Sequence, residues 1–466
     1  MIRFGSFQIE PRTWLLTNGD HPVDLSPRLV EILGYIVSRG GEIVTKDELL
    51  EKFWPDVNVT DNTLTRAIAD IRKAIGDEAA APKYLETSSR RGYRFIGDKP
   101  TISDPFQDWV KGRLALDTLD DTKLDDAVSA FERTVAELPR YAPAYCGLAN
   151  GYLLQYERTR FGSAPDRDML ARAAKAAREA TTLDPSLGEG WAVLGYLLTA
   201  AGKLEEGQAA ARRATALEPD NWRHHYRLAY GSWGEERLRA VDRTLALMPE
   251  FAPARMLACM VFVARGTLDR AEREATRGAE AQRHNHAAHT PLPAVGFHWL
   301  RGMLLASAGD RAAALTCFDS EIDTAATHVY GREFAVNALV AKGFVHLAEN
   351  DRGAAEAAFT RALSESPHHP KASAGQYALD GNRSRVETAI ERLTQAERTT
   401  EAALVSAGAF VADGQLDRAI EVLDRLLTTA PAGSAGWIVP IDPMLAAVRD
   451  HPGKSALFAK LAARAA

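Results

Sequence analysis

The feature that most limits how this chain can fold is a period. Pro185 and Pro219 stand 34 residues apart. Between them, "WAVLGYLLTAAGKLEEGQAAARRATALEP" divides into two apolar-striped halves around an alanine-glycine turn. Related phrases recur at "AVSAFERTVAELPRYAPAYCGLANGY", "RGMLLASAGDRAAALTCF", "AKGFVHLAENDRGAAEAAFTRALSESP" and "FVADGQLDRAIEVLDRLLTTAP". One unit is shorter, with 30 residues between Pro219 and Pro249, and an insertion around "YERTRFGSAPDRDM" lengthens another. A helix pair of this size leaves an apolar face that only the next pair covers, so the units must stack into a solenoid. The alanine and aromatic stripes are then packing surfaces, and Gly195, Gly302 and Gly343 allow helices to approach closely.

The first hundred residues break this pattern. Ile2, Phe4, Phe7 and Ile9 alternate in period two, followed by Trp14, Leu15 and Leu16 and then by Val23 and Leu25, with turn signals between them, which predicts short antiparallel strands. "SPRLVEILGYIVSRG" then predicts a helix, with serine at the cap, proline at the first position and a glycine exit. "VTKDELLEKFWP" predicts a second helix, capped by Thr45 with Glu48 three residues on, the spacing of a reciprocal capping box. In "VTDNTLTRAIADIRKAIGD", Leu64, Ile68, Ile71 and Ile75 form one buried stripe, while Asn62, Arg66, Ala69, Asp70 and Lys73 point away from it. Residues 84–95, "YLETSSRRGYRF", predict a hairpin with strands at 84–87 and 93–95. Gly92 permits its turn or a close approach, and Arg90 and Arg91 form its tip. Between 83 and 94, Lys83, Arg90, Arg91 and Arg94 face one acid, Glu86, a local net charge of +3 in a chain whose total is −6. A purely structural reading is that Tyr93 and Arg94 only pack the hairpin onto its domain.

In their order, these landmarks resemble the OmpR/PhoB-type winged helix-turn-helix domain over about residues 2–97, and within that family the CadC- and ToxR-like subgroup, whose wing ends similarly in Arg-Gly-Tyr. The repeats resemble a tetratricopeptide (TPR) array, with Trp191, Leu194, Gly195, Ala214 and Pro219 at its consensus positions. The resemblance implies a mainly α protein: an α+β winged helix at 1–97, a linker at 98–106 and an α-α superhelical TPR-like solenoid at 107–466. It also implies double-stranded DNA as a partner, bound by a homodimer or by monomers in tandem. A helix fits the major groove, where base edges carry a readable donor and acceptor code. Asn62 and Arg66 are then expected on bases, Thr63, Arg72 and Lys73 nearer to phosphates, and Arg90 and Arg91 at a neighbouring backbone or minor groove. Asp70, where relatives often carry a base, accepts from a cytosine amino group or orients Arg66 from i+4. The TPR groove implies a protein, peptide or small-ligand partner, which makes the expected function transcriptional regulation. The alternative is a TPR scaffold whose winged helix makes protein contacts.

Composition narrows the rest. The acidic total excludes a chain that is basic throughout, so contact with DNA must come from local charge. Cys146, Cys259 and Cys317 are odd in number and far apart, which argues against disulfides and zinc and for a reducing cytoplasm. No apolar window is long enough to span a membrane. Neither a P-loop, a nucleophile elbow, a zinc-protease helix nor a dinucleotide fingerprint is present, so no enzyme activity, cofactor or metal is expected. The stretch "RHNHAAHTPLPAVGFHW" gathers His284, His286, His289 and His298 with no carboxylate or cysteine to complete a metal site, leaving a ligand-contacting or pH-sensitive connection as its other reading.

Overall fold

The computed structural model describes the chain except for residues 1, 12, 20, 55–60, 89–90, 99–100, 103, 161–165, 289–293 and 325–327. Contacts divide it into two compact units, residues 1–113 with 129–144 and residues 114–128 with 145–466. The first unit therefore extends past residue 97 and through the segment expected as a linker.

Its elements run β1 (Ile2–Phe4), β2 (Phe7–Glu10), β3 (Leu15–Asn18), β4 (His21–Pro22), α1 (Pro27–Ser38), β5 (Ile43–Thr45), α2 (Lys46–Phe53), α3 (Asp61–Ile75), β6 (Leu85–Ser88), β7 (Gly92–Phe95) and β8 (Thr101–Ile102). The first four strands form an antiparallel meander in which Ile2 faces Ile9 and Phe4 faces Phe7. Period-two alternation puts Ile2, Phe4, Phe7, Ile9 and Leu16 into the core, as the sequence predicts. Strand β8 pairs with the open edge of β1, so part of the expected linker extends this sheet. Pro27 stands in the first turn of α1, while Ser26 holds the cap position without a side-chain cap bond. Thr45 Oγ1 does cap α2, accepting from the Glu48 N–H at 3.1 Å. The Glu48 carboxylate accepts from the Tyr35 hydroxyl at 2.5 Å, which ties α2 to α1.

A second sheet has the order β5-β7-β6. The sequence predicts its hairpin, but β5 adds a third strand, with Val44 opposite Tyr93. A two-stranded hairpin is marginal alone, and this strand gives it a base. Phe4 and Phe7 of the first sheet pack edge-on to Tyr84, with ring centroids 5.4 and 5.8 Å apart, and Phe4 also meets Phe95 at 5.6 Å. Helices α1–α3 bury Leu33, Ile36, Leu49, Leu64, Ile68 and Ile71 against the same core. This is a winged helix-turn-helix.

From Asp104 the chain is a succession of helices ending with Lys454–Arg464. Pairs such as Gly188–Ala200 with Leu204–Leu217, and Gly331–Ala348 with Arg352–Glu365, lie antiparallel and adjacent. The glycines expected at close contacts are there: a Cβ on Gly195 would stand 2.7 Å from the Gly207 carbonyl, and one on Gly302 would meet the Phe318 ring. The recurrent proline acts one residue ahead of itself. A residue before proline is driven from the helical region, so Asp184, Glu218, Met248 and Ser366 all end their helices with φ between −134° and −144°. The 30-residue repeat is explained by a first helix of only 10 residues, Trp222–Gly231. Buried Arg237 lies beneath its end, donating through Nε to the Ala229 and Ser232 carbonyls at 2.9 and 2.8 Å and through Nη2 to that of Tyr230 at 3.2 Å.

The chain after Pro431 does not continue the pairing. Within residues 437–466, a 3-10 segment (Pro443–Asp450) packs on Phe297–Ser307, Gly331–Ala348 and Thr399–Ala412, first helices of their pairs, and on the second helix Leu416–Thr429, while the closing helix Lys454–Arg464 packs on Leu416–Thr429 and Pro253–Ala264. Lys371, on the first helix of another pair, bonds buried Asp442 at 2.6 Å. Ile441, Leu445 and Val448 are wholly buried there, and Arg265 Nε donates to the Ala465 carbonyl at 2.7 Å. That face of the array is thus filled by the chain itself.

Candidate nucleic-acid interface

Helix α3 presents two unlike faces. Leu64, Ile68, Ile71 and Ile75 are buried, and the helix is thereby fixed in rotation about its axis. Asn62, Arg66, Ala69, Asp70 and Lys73 are exposed on the other side, and Thr63 is half-buried between the faces. Among the described residues neither Arg66 nor Asp70 has an ion-pair partner, so the i, i+4 pairing is not made in the protein alone.

The wing stands directly after this helix. Leu85 pairs with Phe95 and Ser88 with Gly92, and the Arg91 N–H returns to the Ser88 carbonyl at 3.0 Å to close the tip. Arg91 is exposed, whereas Arg90 lies outside the described residues. The Arg91 carbonyl accepts from the Lys46 N–H at 3.2 Å, which fastens the tip to the start of α2. Gly92 permits a close approach: a Cβ there would lie 2.0 Å from the Val44 carbonyl oxygen.

Not every basic side chain of the hairpin is free. Arg94 Nε donates to Glu86 at 2.8 Å across the β6–β7 pair, so these charges offset each other. With Tyr93 buried beside it, this part of the hairpin fits the purely structural reading. Lys83 and Arg91 remain exposed. Arg72, expected near phosphate, is half-buried, and its Nη2 donates to the Leu85 carbonyl and to Thr87 Oγ1, both at 2.8 Å.

One residue escapes the sequence reading altogether. Asp77 follows the helix-ending Gly76 and is buried, and its carboxylate accepts from the N–H groups of Lys83 at 2.5 Å and Leu85 at 2.8 Å. An acid directly after a C-terminal glycine is the only signal, and nothing in it names acceptor-seeking amides six and eight residues away.

Of the four histidines in that stretch, His284 and His298 have described side chains. Among the described residues no group of histidines, cysteines or acids is arranged to hold a metal ion. His298 lies buried in Phe297–Ser307, where burial first and then Arg283 and Arg301 hold its pKa down at about 4. His289 and the side chain of His286 lie outside the described residues. The three cysteines are buried and none is in a disulfide. No helix among the described residues is long and apolar enough to cross a membrane.

Residues 20–95 match the family model "Transcriptional regulatory protein, C terminal". "Transcriptional activator CadC" of Escherichia coli K12 is 28% identical over 97 residues, covering 21% of this chain and 19% of that protein. The chain thus spans about a fifth of the length of this relative. Among solved structures, the Klebsiella pneumoniae RstA DNA-binding domain in complex with RstA box is 29% identical, covering 20% of this chain and 94% of that one, with a TM-score of 0.19. A tetratricopeptide repeat protein from Parabacteroides merdae is 15% identical, covering 62% of this chain and 99% of that one, with a TM-score of 0.37.

Proposed function

We propose that this protein is a cytoplasmic, sequence-specific transcriptional regulator that binds duplex DNA through α3 and the wing, and that its helical array senses a ligand or recruits a protein. The observation that carries this reading is the outward face of α3, with Asn62, Arg66, Asp70 and Lys73 exposed on a helix whose rotation is fixed by its buried stripe and which is followed by a basic wing tip. Such a helix can lie in the major groove with Asn62 and Arg66 at base edges, while Thr63, Lys73, Arg91 and Arg90 meet the backbone. Asp70, without an ion-pair partner among the described residues, would accept from a cytosine amino group in this docking. In an acidic chain this local arrangement supplies the attraction to phosphate that the total charge does not. A partner of the array would have to use surface that residues 437–466 leave uncovered.

Selection of duplexes from a random-sequence pool, followed by gel shifts across a salt series, tests the reading. Arg66→Ala should relax base preference by about 1–3 kcal/mol at the position it reads. Arg90→Ala with Arg91→Ala should weaken binding to all sequences and lower the salt slope by about one per lost phosphate contact. A protein that selects no duplex even at low salt would leave the scaffold reading in its place.

A further inference from the structure

The wing is held to the recognition helix at one residue from both sides. Leu85, wholly buried, has its N–H bonded to the Asp77 carboxylate at 2.8 Å and its carbonyl bonded to Arg72 Nη2 at the same distance. Arg72 also reaches Thr87, the next residue but one along β6. Both holding side chains come from the end of α3 or just beyond it, so the strand that leads up to the wing tip is referenced directly to the helix. A guanidinium suits this task, since its fixed planar fork is pre-organised and its bonds to neutral acceptors are charge-assisted.

We propose that Arg72 is a positioning residue for DNA binding: with Asp77 it sets the height of the wing against α3, so that Arg91 meets the backbone in the same docking in which Arg66 meets the bases. Arg72 then contributes through Arg91 and makes no phosphate contact of its own. This rests on the DNA-binding reading above.

A double-mutant cycle on the full chain separates the two roles. The probe is a labelled duplex selected by the wild-type protein from a random pool, and the readouts are the salt slope and a hydroxyl-radical footprint. Arg91→Ala should lower the slope by about one. Arg72→Ala should lower it by the same amount, and the double variant by no more than either single one. The footprint of Arg72→Ala should lose the wing's protection yet keep that of the recognition helix, a split that a general loss of stability would not produce. Arg72→Lys keeps the charge but ends short of the Nη2 position, so it should behave like Arg72→Ala, and it carries the test if the alanine variant does not fold. Additive slopes in the cycle, or a wild-type slope and footprint for Arg72→Lys, would overturn the proposal while leaving the DNA-binding reading intact. A wild-type protein that selects no duplex would instead remove that reading itself.

Discussion

Gly92 has no room for a side chain, because the obstacle is backbone. A Cβ would meet the Val44 carbonyl and the Thr45 Cα, neither of which can rotate away. Gly92→Ala should therefore cost about 3 kcal/mol, the upper end of overpacking penalties, and lower the thermal transition of the unit that carries the wing while abolishing wing contacts. Two buried histidines give the array a pH dependence. Burial, with Arg283 and Arg301, lowers the pKa of His298 to about 4, and burial, with Lys371 and Arg398, lowers that of His369 to about 3. Both are neutral in folded and unfolded chains above their ordinary value of 6.5, so they add no pH dependence there. Below it the unfolded chain takes up protons that the folded one refuses, and stability falls from pH 6.5 towards these lowered values. Denaturant midpoints measured between pH 7 and 4 should show this decline, and His298→Gln should flatten it. At this scale the sequence was legible where a side chain's neighbours are local, as in the α3 stripe. It was not where they are distant: the Glu86 partner of Arg94 depends on hairpin register, and the partners of Asp77 are backbone groups without sequence identity.

Elements depend on what meets their ends. The helix Trp222–Gly231 is stopped early, and its last carbonyls are taken by Arg237, whose pKa burial draws down to about 10, still charged at neutral pH. Arg237→Ala leaves three carbonyls without that donor and should cost about 3 kcal/mol, read as a lower unfolding midpoint of the array. The interval from Pro219 to Pro249 announced a defective repeat in the sequence. That the shortening falls on the first helix was not visible, because both helices of the pair have the same apolar period. Strands were legible where alternation was strong, in β1 and β2, and missed in β5 and β8. The three residues of β5 are too few for a period, and a two-residue strand such as β8 is defined only by the edge it meets.

At the scale of the whole molecule, the repeat period and the order of landmarks in the first hundred residues made the two-part plan legible. The course of residues 437–466 was not, since nothing in their composition says which face they cover. They close the core that the array builds. Without them, the surface that covers Ile438, Ile441, Leu445, Val448, Leu457 and Leu461 would face water. A chain ending at Gly436 should bind an apolar dye and unfold with reduced cooperativity, and a synthetic peptide of residues 437–466 added in trans should reverse both effects; failure to do so would mean that the peptide does not recognise this face. Position in the chain also becomes position in time. Translation delivers the helices from Phe297 to Ala412 before the segment that seals them, and at about 5–20 residues per second the interval lasts seconds. Every copy of the protein therefore passes through a stage in which these helices have been made and the face that residues 437–466 cover is still bare. In that interval the apolar face is exposed surface of the kind that chaperones exist to shield.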